Sequence, residues 1–218
     1  MRINKAIRFT LAPVALAALV PAASAASLEA SVTDKPGKPV ENAVVYALPK
    51  NYKPPKTTPV LVVDQIDKEF VNHVTAVQVG TPVSFPNSDD IRHHVYSFSP
   101  AKTFELPLYT GTPAQPVMFD KPGAVALGCN IHDWMLGYIY VVETPHFAKT
   151  GADGRARLDL PAGDYEVRVW HPEMQGKSEQ AGQKINLGEA AKLGFSLDLK
   201  HAWKPRRAPA GPDGGARY

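Results

Sequence analysis

The chain has 218 residues, a single cysteine and a formal charge of +3. Three of the bases and none of the acids precede Ala26, so the remainder is balanced at 21 basic and 21 acidic residues. A neutral body with a short basic stretch from Lys200 onward is no footprint for nucleic acid, and one cysteine excludes an intramolecular disulfide. The chain opens with Arg2, Lys5 and Arg8, an apolar run over residues 9–20, then Ala23-Ser24-Ala25. That order is expected of a secretory signal peptide over residues 1–25, cleaved after Ala25. The run is too short to span a bilayer, which takes about 20 apolar residues, and Pro13 and Pro21 interrupt it. No later segment is a candidate membrane span. The expectation is a periplasmic or secreted protein.

Helical periodicity is scarce, and proline and glycine punctuate short runs rich in Val, Tyr, Phe and Thr. The pattern predicts an all-β chain of sandwiches. Residues 27–48 read as two strands about the turn Asp34-Lys35-Pro36-Gly37. Residues 50–59 form a Lys/Pro linker. Residues 75–79 and 83–85 flank Gly80-Thr81-Pro82, which signals a hairpin. Phe85-Pro86-Asn87-Ser88-Asp89-Asp90 precedes the paired His93 and His94, and residues 95–98 continue as a strand. Phe104, Leu106 and Leu108 alternate in a longer connection. Residues 119–142 hold two strands. Further on, residues 150–154 and 161–164 are hairpin signals, and Tyr165, Val167 and Val169 alternate strictly. Residues 200–218 are Pro/Gly/Arg-rich and expected to be a disordered basic tail, with Trp203 its one large aromatic.

Between the two strands of residues 119–142 lies Cys129-Asn130-Ile131-His132-Asp133-Trp134-Met135. A thiolate, an imidazole and a thioether at three-residue spacing are three of the four side chains that a blue-copper site uses. A second imidazole must come from elsewhere, and His93 and His94 are the candidates. Being adjacent on a strand, they point to opposite faces, so only one can face the loop. An unpaired thiol kept in an oxidising compartment also suggests a dedicated use, and metal ligation is one.

At these residues the chain resembles the cupredoxins, over about residues 60–143. The resemblance rests on C-x-x-H-x-x-M, on F-x-N-x-D ahead of the histidines, and on residues 64–70. It implies a Greek-key β-sandwich holding one type 1 copper ion on His93, Cys129, His132 and Met135, with His94 as the alternative to His93. His-small-apolar spacing and D-x-x-H from Asp90 favour His93. Asn87 and Asn130 are expected to steady backbone and thiolate. The loop histidine is expected to break the surface among Ile131, Trp134 and Leu136, where an unidentified redox partner protein would dock. His73, His146, His171 and His201 stand outside both motifs, and Asp133 reads as a solvated loop residue.

The stretches V-x-D-x-x-G-x-P-V-x-x-A-V-V from Val32 and T-x-x-D-G…L-P-A-G-x-Y-x-V-x-V from Thr150 are similar to the carboxypeptidase regulatory-like (transthyretin-like) sandwich. They imply one small sandwich split into residues 27–49 and 145–199, with the copper domain of residues 60–143 inserted between them. Electron transfer is the expected function rather than catalysis, because four ligands leave no open position for a substrate. Copper storage or delivery is the alternative, although only four methionines occur and none cluster. A structural or adhesive module is a further alternative, and it leaves the cysteine loop without a use. The sequence leaves the oligomeric state open.

Overall fold

The computed structural model describes residues 25–50, 52–53 and 58–200. Residues 1–24 of the expected signal peptide, most of the basic tail with Trp203 and His201, and part of the Lys/Pro linker lie outside the described residues. The chain is all-β. The first strands are β1 (Ala25–Asp34) and β2 (Val44–Pro49). They are followed by β3 (Leu61–Val62), β4 (Gln65–Ile66), β5 (Glu69–Phe70), β6 (Val74–Gln78) and β7 (Thr81–Ser84). Then come β8 (His93–Ser99), β9 (Lys102–Tyr109), β10 (Val117–Phe119), β11 (Gly123–Gly128) and β12 (Leu136–Val142). The last are β13 (Phe147–Lys149), β14 (Arg155–Pro161), β15 (Gly163–Trp170), β16 (Gln183–Leu187) and β17 (Ala190–Leu197).

Strands from both ends of this series share sheets. One sheet has the order β14-β1-β17 and another β13-β2-β15-β16. Their inner faces bury Leu28, Val32, Val45, Leu158, Tyr165, Val167, Val169 and Phe195 in one cluster. Between them in sequence, the sheets β10-β7-β3 and β6-β12-β11-β8-β9 enclose a second cluster around Phe85, Val95, Phe119, Leu127 and Ile139. Asp34 closes the first turn as its residue types dictate: its carboxylate accepts the Lys38 N–H at 2.7 Å, and Gly37 takes a φ of +90°.

Three predicted hairpins are corners instead. Residues 80–82 join β6 to β7, yet β6 pairs in parallel with β12 while β7 pairs with β10 and β3. Gly80 takes a φ of +89° and donates to the Phe119 carbonyl, and the Thr81 hydroxyl caps the Gln78 carbonyl, so the chain turns into the facing sheet. The turns at residues 150–154 and 161–164 likewise carry the chain between the two sheets of the other sandwich. Local turn chemistry is the same in a hairpin and in a corner, and only the partner strands differ. Leu108 also departs from its alternation. The pairs His93↔Tyr109 and Val95↔Leu106 show a bulge in β9, which leaves Leu108 exposed as an extra residue does on a bulged strand.

β2, β6 and β12 are buried on both faces, and there the sandwiches abut. Val45 and Ala47 of β2 face inward, while Val44 and Tyr46 join Val74, Tyr140 and Val142 in a third cluster. The Trp170 ring stacks on Tyr140 at 4.4 Å between centroids, an arrangement contributing roughly 1 kcal/mol beyond area burial. The hydroxyls of Tyr46, Tyr140 and Ser178 lie within 2.9–3.2 Å of one another, so the buried phenols stay hydrogen-bonded.

His171 ends the run beyond β15 and is 1% exposed. Burial, with His73 adding to it and the Glu41 carbonyl opposing, lowers its pKa from the ordinary 6.5 to about 4. Its Nδ1 already accepts the Glu173 N–H at 3.2 Å, which leaves no lone pair there for a proton. The unfolded chain takes up this proton below pH 6.5 and the folded chain only near pH 4. Stability is therefore full above pH 6.5 and falls as the pH drops towards 4, by about 3 kcal/mol from this residue. Thermal melts at pH 7.5 and 4.5 are expected to show a smaller difference for His171→Asn than for the wild type. Equal differences would refute the assignment.

Candidate metal centre

β11 and β12 are antiparallel neighbours whose last pair is Gly128↔Leu136. The seven residues between them form a closed loop, tightened by a bond from the Met135 N–H to the His132 carbonyl at 2.9 Å. β8 lies beside β11, paired at Gly128↔Tyr96, which brings the start of β8 against Cys129. His93, Cys129 and His132 meet there, each offering one ligand atom, all within 4.8 Å of one another. The Cys129 Sγ is 3.9 Å from Nδ1 of His93 and 3.8 Å from Nδ1 of His132. Metal bonds of about 2.0–2.3 Å meeting near 120° leave donors that far apart. Among the described residues no other group of three such side chains forms. Met135 is buried in the same apolar cluster as Cys129.

The adjacent histidines diverge. His93 turns inward to the sulfur. The His94 ring packs edge-on against Tyr96, with Nε2 3.0 Å from a Glu105 oxygen but outside hydrogen-bond alignment. His94 still serves the site through its backbone. Burial works to raise the Cys129 thiol, but the His93 ring and the N–H groups of His94 and Ile131 outweigh it and hold the pKa below the ordinary thiol value. Asn130 is exposed, so it is these two amides that reach the sulfur. Burial lowers His93 too, yet Cys129 and Asp89 raise it further. His132 is lowered by burial, with His93 and Lys68 adding to it.

His132 differs from its expected exposure: it is only 6% exposed, because the Trp134 ring packs 5.2 Å from it. Ile131 is 50% exposed beside it. Next to the loop, Trp134 and Leu136 line a groove of about 300 Å³ together with Ile66, Val71 and His73. Asn87 organises the approach to His93. Its amide donates to the Ile91 and Tyr109 carbonyls at 2.8 and 2.9 Å, and its oxygen accepts the Asp89 N–H at 3.1 Å. Asp89 closes the F-x-N-x-D motif, but the D-x-x-H spacing that singled out His93 was counted from Asp90, which is exposed, whereas it is the Asp89 carboxylate that sits 2.6 Å from Nε2 of His93. Spacing alone could not separate two adjacent aspartates.

No protein-family model matches the chain. Among curated proteins, diaminopimelate epimerase of Streptomyces coelicolor is 41% identical over 81 residues, which is 34% of this chain and 26% of that protein. The chain thus spans about a quarter of that relative. Among solved structures, a reduced single-substitution variant of amicyanin is 22% identical, covering 38% of this chain and 82% of its own, with a TM-score of 0.35. A copper-containing nitrite reductase from Thermus scotoductus is 26% identical over 44% of this chain and 25% of its own, at 0.37. A purple cupredoxin from Nitrosopumilus maritimus is 19% identical over 39% of this chain and 100% of its own, at 0.33.

Proposed function

We propose that this is an exported type 1 copper protein that transfers single electrons, with the metal held by His93, Cys129, His132 and Met135. One observation carries the reading: a buried cysteine sulfur lies 3.8–3.9 Å from the Nδ1 atoms of two buried histidines. A soft thiolate with two imidazoles is a donor set that suits copper. Copper bound there supplies a Cu(II)/Cu(I) couple. The chain's part is to hold the donors still, since a ligand set that does not rearrange keeps the cost of electron transfer low. Cys129 sits in the tight loop, two amides reach its sulfur, and as a ligand it would be held as the thiolate. The two histidines are packed against each other at 5.0 Å between ring centroids.

A redox partner would dock on Ile131, Trp134 and the neighbouring groove, since weak electron-transfer encounters need only small interfaces. Export is read from the amino-terminal pattern. Storage or delivery calls for donors that a partner can reach, and His93, Cys129 and His132 are 0%, 4% and 6% exposed. Among the described residues no helix is long and apolar enough to cross a membrane. The test is the absorption spectrum of the protein loaded with Cu(II). An intense visible thiolate-to-copper band is expected. A colourless protein that binds copper weakly would overturn the reading.

A further inference from the structure

The two-residue loop between β4 and β5 consists of Asp67 and Lys68, at φ of 56° and 60°. Left-handed backbone at both positions is the mirror-image turn that matches a hairpin's twist, and it is usually left to glycine or asparagine. Here one side chain holds it. The Asp89 carboxylate accepts the Asp67 N–H on Oδ1 at 2.7 Å and the Lys68 N–H on Oδ2 at 2.9 Å. The same Oδ2 lies 2.6 Å from Nε2 of His93, a ring with no exposed surface.

From this arrangement we infer that Asp89 is a positioning residue for the metal site: one carboxylate clamps the β4–β5 turn to the His93 ring and so sets which nitrogen that ring presents to the metal. The inference rests on the copper reading. An ionised carboxylate only accepts hydrogen bonds, so the single proton of a neutral His93 ring belongs on Nε2. Nδ1 is then left with a bare lone pair, and Nδ1 is the atom that faces Cys129. Carboxylate–histidine pairs of this kind fix tautomer and orientation and raise ligand basicity. The carboxylate also leaves a negative charge behind the ligand, which favours the more oxidised metal. The Asp89 backbone is itself held by Asn87, so the carboxylate does not drift from the ring.

The experiment uses the full chain and the variants Asp89→Asn and Asp90→Asn. The first measurement needs no metal: ¹⁵N–¹H correlation spectra of the histidine rings at a pH where His93 is neutral. The wild type is expected to show His93 as the Nε2–H tautomer and Asp89→Asn a mixture. A wild-type ring protonated on Nδ1 would overturn the inference outright, whether or not the variant folds. The second is copper affinity with the reduction potential of the loaded protein. Asp89→Asn is expected to bind copper about 10–100-fold more weakly and at a more positive potential, while Asp90→Asn matches the wild type. Asp89→Asn with wild-type tautomer, affinity and potential would refute it. A wild type that takes up no copper would instead sink the functional reading, and the tautomer spectra would still decide the role of Asp89.

Discussion

Replacing His93 with alanine is expected to abolish the coloured copper complex, whereas His94→Ala leaves it in place. His93 supplies one of the three donor atoms that lie within 4.8 Å of one another, and its ring is packed against His132 and held from behind by Asp89. Alanine removes the imidazole and leaves Asp89 facing a cavity. Copper affinity should fall by more than the roughly 100-fold that losing a supporting hydrogen bond costs. His94 contributes to the sulfur through its backbone N–H, and that group survives the substitution. Its ring touches Tyr96 and Glu105, on the other face of β8. The measurement is the visible spectrum and copper titration of each variant. A band that survives His93→Ala and vanishes in His94→Ala would place the wrong face of β8 at the metal.

Deleting residues 27–49 is expected to unfold residues 145–199 and drive the chain into aggregates. β1 is the middle strand of its sheet, hydrogen-bonded to β14 on one side and β17 on the other. β2 lies between β13 and β15. The deletion removes Leu28, Val32 and Val45 from the core, each worth about 1.5–3 kcal/mol of burial. It also removes Val44 and Tyr46 from the contact with Tyr140 and Val142. The sum is comparable to the 5–15 kcal/mol by which a whole domain is stable. The strand edges of β14, β15 and β17 would then lie open, and unpaired edges recruit other chains. Size-exclusion chromatography and amide exchange of the shortened protein decide the matter. A soluble product with β14–β17 fully protected would mean that residues 145–199 fold without the first two strands, and that the split-sandwich reading is wrong.

Much of this molecule was legible one residue at a time. The all-β class follows from proline and glycine spacing and from strict alternation such as Tyr165, Val167 and Val169, all buried in one core. The loop from Cys129 to Met135 was legible because its chemistry is local: three ligand-type side chains in seven residues between two β-prone runs. What tertiary structure alone decided were pairings between residues distant in sequence. Gly80-Thr81-Pro82 has the chemistry of a turn, but whether that turn makes a hairpin or a corner depends on β12 and β10 arriving beside β6 and β7. The burial of His132 depends on how Trp134 folds back over it. The choice between Asp89 and Asp90 was decided by the Asp67–Lys68 turn, some twenty residues earlier, because both N–H groups of that turn point at the Asp89 carboxylate.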